Sequence, residues 1–186
     1  MTEKLKQKNK EKVIFGFLDE TSPQNTANTQ RPWSLGKPKK EKNTTKLRVN
    51  TFGFYALNGN SVIDFKERSR KEDVCEFLEL IRKYNPEKEI ILQLDNFPSH
   101  WANKTKEKAE KLDITLIFQP PYSPDLNPIE FIWKSIIREL SPLLIESVEM
   151  FENVLEEHYD SFAQKTSYPK SWIKKFLPDK LKKLCQ

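Results

Sequence analysis

Cysteine is scarce in this chain of 186 residues, which contains only Cys75 and Cys185. The two cysteines are far apart and have no further Cys or His at metal-ligand spacing, so neither a disulfide framework nor a zinc site is indicated. Long apolar runs are also missing, and no run approaches the length of a membrane span. The lysine-rich first residues lack the apolar core of a signal peptide. We therefore predict an intracellular protein, cytoplasmic or nucleoid-associated, with no membrane partner.

The chain shows no internal repeat, and its length suits one substantial core rather than two domains. We predict a basic, disordered N-terminal segment over residues 1–12 and a single domain over residues 13–186.

Basic residues are unevenly distributed along the chain, whose formal net charge is +5. Residues 37–48 carry six basic side chains against one acidic, and residues 170–183 repeat that ratio. Such segments suit a nucleic-acid phosphate backbone, although solvated surface charge is the common alternative. The predicted DNA contacts are Lys37, Lys39, Lys40, Lys42, Lys46 and Arg48. The acidic stretch 146–160 is expected to lie away from DNA.

Hydrophobic periodicity predicts both strands and helices. Ser69 is predicted to cap the first helix, and Asn58-Gly59 is a hairpin signal between the second and third strands. The predicted strands cover 13–18, 47–57, 61–65, 89–94 and 114–118, and the predicted helices cover 70–84, 102–112, a segment starting at 128, 146–164 and 170–176.

The stretch QPPYSPDLNPIEFIW, from Gln119 to Trp133, is the most informative part of the sequence. Its four prolines fix backbone φ angles, so the loop loses little entropy when it becomes ordered. Asn127 is predicted as the N-cap of a helix that begins at Pro128, which places Glu130 in the first turn. Glu130 falls at the border of the apolar stripe of that helix, where its carboxylate can face a cleft.

Two aspartates follow short apolar segments of strand length. Asp19 ends the run VIFGFLD and Asp95 ends the run EIILQLD. Open α/β sheets bind ligands at the carboxyl ends of their strands, so Asp19 and Asp95 converge if their strands are neighbours. Together with Glu130 they would form a cluster of three carboxylates.

Clustered carboxylates repel one another and need cations or shared protons. Mg²⁺ prefers hard oxygen ligands, and two such ions assist in-line displacement at phosphorus. Mn²⁺ can take its place at oxygen sites. The cluster therefore indicates phosphodiester chemistry.

These motifs resemble the catalytic domain of the IS630/Tc1/mariner superfamily of DDE transposases. The resemblance rests on LDE around Asp19, on LDN followed by His100, and on PPYSPDLNPIEFIW around Glu130. Thirty-four residues separate Asp95 from Glu130, as in the DD34E members. A looser match is RPWSLGKP, residues 31–38. The similarity extends over about residues 13–140.

The resemblance implies an α/β, ribonuclease H-like fold with a mixed five-stranded sheet flanked by helices. It implies Asp19, Asp95 and Glu130 as catalytic residues and as ligands of Mg²⁺, with Mn²⁺ as a substitute. Water would attack at the transposon ends, and the released 3′ hydroxyl would attack target DNA at TA dinucleotides. Because the reaction handles two DNA ends, a homodimer on DNA is expected.

Relatives carry helix-turn-helix modules before the catalytic domain, whereas about twelve residues precede the first predicted strand here. We therefore expect a separate helix-turn-helix partner, or a split, excised or degenerate transposase. Two other functions remain open: a ribonuclease H-like nuclease without strand transfer, and a non-catalytic DNA-binding remnant.

Each acidic residue also has a purely structural interpretation. Glu130 with Asn127 matches a helix-capping arrangement, and Asp19 and Asp95 are of the type that opens turns. Their joint occurrence with the proline-rich motif and the family spacing favours catalysis.

Four residues are predicted to support the three carboxylates. Glu20 should point to the opposite sheet face from Asp19 if the strand continues, where it is either supporting or solvated. Asn96 follows Asp95 directly. His100 matches a histidine often seen in the family, where it would orient a ligand or contact phosphate, although a lone loop histidine is more often incidental. Asp125 lies in the rigid loop, where a turn role is the alternative.

Overall fold

The computed structural model describes residues 13–26, 35–36, 41–121, 123–165 and 172–175. The strands are β1 (Val13–Thr21), β2 (Asn50–Ala56), β3 (Val62–Lys66), β4 (Glu89–Leu94) and β5 (Ile114–Phe118). The helices are α1 (Lys71–Tyr84), α2 (Pro98–Trp101), α3 (Asn103–Lys111), α4 (Ile129–Leu140) and α5 (Val148–Ala163), and a 3₁₀ turn covers Pro124–Leu126. None of the helices in these ranges is long and apolar enough to cross a membrane.

The five strands form one mixed sheet in the order β3-β2-β1-β4-β5. β4 runs parallel to both β1 and β5, whereas β2 is antiparallel to β1 and β3. The predicted mixed five-stranded sheet with flanking helices is confirmed. The carboxyl ends of the parallel strands β1 and β4 lie side by side at one edge of the sheet. Asp19, near the end of β1, and Asp95, directly after β4, lie at this carboxyl edge.

Alternation along β1 divides its side chains between two cores. Phe15 and Phe17 pack in the core that contains α4 and α5, while Ile14 and Leu18 pack in the core that contains α1 and α3. This period-two pattern is the normal consequence of strand geometry. It directs Asp19 toward α4 and Glu20 toward the opposite face.

Helix α4 packs closely on the sheet because glycine occupies the contact point. Gly53 in β2 is the register partner of Asp19 in β1. A Cβ atom at Gly53 would lie 2.4 Å from Cζ2 of Trp133 and 2.9 Å from Cδ1 of Ile129. The bare backbone of Gly53 therefore sets how near α4, and with it Glu130, comes to β1.

Several predicted boundaries are wrong. β1 continues to Thr21, so Asp19 lies within the strand and not at its end. The N-cap of α4 is Pro128 instead of Asn127. Within the described ranges, Oδ1 of Asn127 has no hydrogen-bond partner, so Asn127 provides no side-chain cap.

The predicted cap of the first helix and one turn are also corrected. Arg70, not Ser69, caps α1, because the Arg70 N–H donates to the Asp73 carboxylate while Ser69 contacts Asn50. The β2–β3 hairpin is confirmed, but Gly59 does not have the positive φ of a primed turn. The short helix α2 was not predicted.

Candidate active site

Asp19, Asp95 and Glu130 line one cleft of about 420 Å³ at the carboxyl edge of the sheet. β1 and β4 are adjacent strands and supply the two aspartates, while the first turn of α4 supplies Glu130. The proline-rich loop forms one wall through Gln119, Pro120, Pro121, Ser123 and Asn127, and the segment Asn96, Phe97 and Pro98 forms another. The structure thus brings together the three carboxylates that the sequence singles out.

Asp19 is the most perturbed of the three carboxylates. Burial, followed by the negative charges of Glu130 and Asp95, raises its pKa from 3.8 to about 8. One oxygen of Asp19, Oδ2, accepts a hydrogen bond from Nε1 of Trp133 at 3.1 Å. Trp133 belongs to the hydrophobic core and also holds the Asp19 side chain in place.

Asp95 is held by a histidine that connects it to Glu20. Nδ1 of His100 lies 2.8 Å from Oδ1 of Asp95, and Nε2 lies 3.1 Å from Oε1 of Glu20. The hydrogen bond from His100, against the opposing effect of burial, keeps the pKa of Asp95 below its usual range. The Phe97 N–H donates a further hydrogen bond to Asp95.

His100 is buried, with a side chain only 1% exposed. Burial alone would lower its pKa, but the hydrogen bonds and charges of Asp95 and Glu20 outweigh burial and raise the pKa to about 9. Both ring nitrogens therefore donate near neutral pH. The structure thus does not support the interpretation of His100 as an incidental loop residue.

The proline-rich loop is tied to the sheet by two amide side chains. Nε2 of Gln93 donates to the Leu126 carbonyl at 2.9 Å, and Nδ2 of Asn96 donates to the Gln119 carbonyl. Gln93 is buried, and sequence reasoning missed its role. The detectable signal was a single polar residue inside the apolar run EIILQL.

We expect Gln93→Met to loosen this loop, because it leaves the Leu126 carbonyl without its partner. Losing a buried hydrogen bond typically costs about 1–3 kcal/mol. Hydrogen exchange should become faster between residues 119 and 128, while Gln164→Met, at an exposed position, should leave exchange unchanged. Equal exchange in the two variants would show that Gln93 does not anchor the loop.

The donor set of the cleft fits a magnesium ion. Within the described residues, no group of three or more His, Cys, Asp or Glu side chains is placed closely enough to hold a metal by itself. Mg²⁺ does not require such a cage, since it commonly binds through one or two carboxylates and completes its shell with water and substrate phosphate. The raised pKa of Asp19 also indicates that negative charge is destabilised in this cleft, and a bound cation would offset that destabilisation.

The other predicted residues lie at different places. Asp125 is exposed on the 3₁₀ turn, outside the residues that line the cleft, which agrees with its alternative turn role. Lys42, Lys46 and Arg48 are exposed. Lys37, Lys39 and Lys40 lie outside the described residues, as do the N-terminal segment 1–12 and most of the RPWSLGKP match. The predicted helix 170–176 is described only over 172–175, which is helical.

The family profile described as DDE superfamily endonuclease matches residues 15–152. That match includes all three cleft carboxylates and most of the described structure. The chain belongs to the DDE superfamily endonuclease family. The resemblance indicated by the sequence motifs is therefore confirmed.

Individual relatives are transposases. The chain is 29% identical over 97 residues to the Tc1 transposase of Caenorhabditis elegans, an alignment that covers 52% of this chain and 33% of the relative. It is 36% identical over 63 residues to the Tc3 transposase of the same organism, covering 34% of this chain and 19% of the relative. The chain thus spans about a third or less of these relatives.

Among solved structures, the catalytic domain of Mos1 mariner transposase superposes with a TM-score of 0.60 at 17% identity, covering 99% of this chain and 83% of that one. A Mos1 paired-end complex with the left transposon end gives a TM-score of 0.67 at 18% identity, with 99% and 57% coverage. Other similar Mos1 structures contain Mn or Mg. At this identity the likeness establishes the fold, and it confirms the ribonuclease H-like architecture expected for a DDE catalytic domain.

Proposed function

We propose that this DDE family domain cleaves DNA strands at transposon ends and joins the released 3′ ends to target DNA. The observation that carries the proposal is the convergence of Asp19, Asp95 and Glu130, from three separate elements, on one cleft. Mos1, which has the same fold, is described in complexes with transposon-end DNA and with Mn or Mg.

In this proposal the three carboxylates hold divalent ions, Mg²⁺ or Mn²⁺. When bound, such ions activate the attacking oxygen and stabilise the leaving oxygen of an in-line displacement at phosphorus. The protein positions these carboxylates: Trp133 fixes Asp19, His100 fixes Asp95, and the anchored loop delivers Glu130. In the first reaction water attacks phosphorus and the 3′ oxygen leaves. In the second, that 3′ hydroxyl loses its proton and attacks a phosphorus of the target, which forms a new phosphodiester bond and breaks the bond from that phosphorus to the 3′ oxygen of the target strand.

The proposed reaction requires that the chain bind both the transposon ends and the target DNA. Exposed Lys42, Lys46 and Arg48 would contribute to holding the phosphate backbone. A homodimer on DNA and a separate helix-turn-helix module remain parts of the proposal, because the reaction must bring two specific ends together.

The proposal is tested with a labelled DNA duplex carrying the ends of the parent element. Magnesium-dependent nicking followed by joined products would support a transposase. Nicking without joining would favour a ribonuclease H-like nuclease. Binding without nicking, even after fusion to a helix-turn-helix module, would favour a non-catalytic remnant.

We further expect Glu20→Ala to weaken divalent-metal binding by about tenfold, the lower end of the range for direct hydrogen-bond partners of metal ligands, because Glu20 acts on Asp95 only through His100. Without Glu20, His100 loses one of its two carboxylate partners and no longer holds Asp95 in a single orientation. Mn²⁺ affinity, measured by electron paramagnetic resonance, is the readout.

Two variants make this measurement specific. Glu20→Gln keeps an acceptor for His100 and should retain most of the affinity. Glu72→Ala removes an exposed carboxylate paired with Lys104 and should have no effect. Equal Mn²⁺ affinity in Glu20→Ala and wild type would rule out the positioning role.

A further inference from the structure

Two exposed aromatic rings lie beside the cleft. Four aromatic side chains are exposed in the described part of the chain: Tyr84, Phe97, Trp101 and Phe131. Phe97 lines the acidic cleft, and Trp101 donates a hydrogen bond to Asn96, which also lines it. Apolar surface left in water next to a polar cleft is typical of a ligand-binding surface.

The Trp101 ring and the Phe97 backbone are fixed by their surroundings. The Trp101 ring stacks on Phe118, with centroids 3.9 Å apart and an interplanar angle of 16°. Its Nε1 donates to Oδ1 of Asn96 at 3.1 Å. The backbone of Phe97 is held by the hydrogen bond to Asp95 and is followed by Pro98. Rings that are ordered before binding lose little entropy when a ligand stacks on them.

A positive charge accompanies these rings. Nζ of Lys106, an exposed lysine, lies over the Trp101 ring at 4.7 Å from its centroid, while Phe118 stacks on the same ring. A base would therefore stack on Trp101 by displacing Lys106, which leaves the lysine charge available to a phosphate. An aromatic surface beside a cation matches a nucleotide, which offers a flat base and a negative phosphate. Proteins that bind single strands combine these two features, and stacking on an aromatic ring is tolerant of base sequence.

We propose that Phe97 and Trp101 form a stacking platform for unpaired bases of the DNA strand that enters the acidic cleft, with Lys106 binding an adjacent phosphate. This inference rests on the proposed function, because it assumes that DNA is the substrate. It adds that the strand is held with its bases unstacked from the duplex next to the cleft.

The test compares two strands of about 12 nucleotides, a length within the usual site size of single-strand binders. One is a thymidine oligonucleotide, and the other is an abasic strand with the same number of phosphates. Dissociation constants are measured by fluorescence anisotropy at one salt concentration with Ca²⁺ present. The wild type should bind the thymidine strand about tenfold more tightly, as expected for one or two stacked bases.

Variants test whether the two rings cause this ratio of dissociation constants for the abasic and thymidine strands. Phe97→Ala and Trp101→Leu should each reduce the ratio several-fold, and the double variant should bring it close to one. Tyr84→Ala removes an exposed ring on the last residue of α1 and should leave the ratio unchanged. Lys106→Ala should weaken both strands equally and lower the salt dependence of binding.

Three results would overturn the platform: a wild-type ratio near one, an unchanged ratio in the double variant, or no binding of either strand. So would a dimer in solution that Phe97→Ala dissociates without changing the ratio, since the rings would then serve a protein contact. Metal-dependent nicking with an unchanged ratio would refute the platform and leave the proposed function standing. Tighter binding of the thymidine strand that depends on the two rings, without any nicking, would support the platform and count against the proposed function.

Discussion

Glu130→Gln is expected to reduce metal-dependent nicking by at least about 1,000-fold. Metal ions supply several kcal/mol of transition-state stabilisation, and each 1.36 kcal/mol corresponds to tenfold in rate. The substitution keeps the size of the side chain but removes the charge that Glu130 presents to the cleft beside Asp19. The measurement is the single-turnover rate of strand cleavage on a labelled duplex.

Glu139→Gln provides the matched control, since Glu139 is an exposed glutamate on the same helix. It should cleave like the wild type. A Glu130→Gln variant within tenfold of the wild-type rate would mean that Glu130 serves only the helix end, as the capping interpretation holds.

Gly53→Ala is the second substitution with a large expected effect, although it lies in a strand and carries no functional group. The added Cβ would lie 2.4 Å from the Trp133 ring, so α4 must move away from the sheet. Overpacking of this kind typically costs about 1–3 kcal/mol. Because α4 carries Glu130, we also expect about 100-fold slower nicking, the effect of misplacing a reacting group by about 1 Å.

Thermal unfolding and cleavage rates should be measured together for this variant. Gly36→Ala is the control, because among the described residues, apart from its chain neighbours, no heavy atom lies within 4 Å of a Cβ at that position. If Gly53→Ala melted and cleaved like the wild type, close packing of α4 would not be what places Glu130.

Local pattern predicted the individual strands and singled out the three cleft residues, whereas the family resemblance implied how the strands form one sheet. The limits of β4 and β5 are those that the apolar runs predict. The convergence of Asp19 and Asp95 was predicted on the condition that their strands are neighbours, and the pairing of β1 with β4 meets that condition. Proline spacing and the apolar stripe of α4 were enough to direct Glu130 to the cleft.

Contacts between distant residues could not be predicted in this way. Glu20 and His100 are 80 positions apart, and Trp133 and Asp19 are 114 apart. Such pairs depend on how helices pack on the sheet, which no local periodicity encodes. Gly53 illustrates the same limit. From the sequence, a glycine inside a strand indicates only reduced strand stability, and its contact with the Trp133 ring is known only once the helix is packed on the sheet.

Cap residues were mispredicted for a related reason. Ser69 and Asn127 are both good N-caps by type. Ser69 instead contacts Asn50, and Asn127 is buried against the cleft. Tertiary contacts decided their roles.

The most direct test of the account is the affinity of the chain for Mn²⁺, measured by electron paramagnetic resonance without DNA. We predict that the wild type binds Mn²⁺ and that Asp19→Asn, Asp95→Asn and Glu130→Gln each weaken binding by about tenfold or more, as expected when an oxygen ligand loses its charge. Unchanged affinity in the variant that combines all three substitutions would contradict the claim that this cleft is a metal centre.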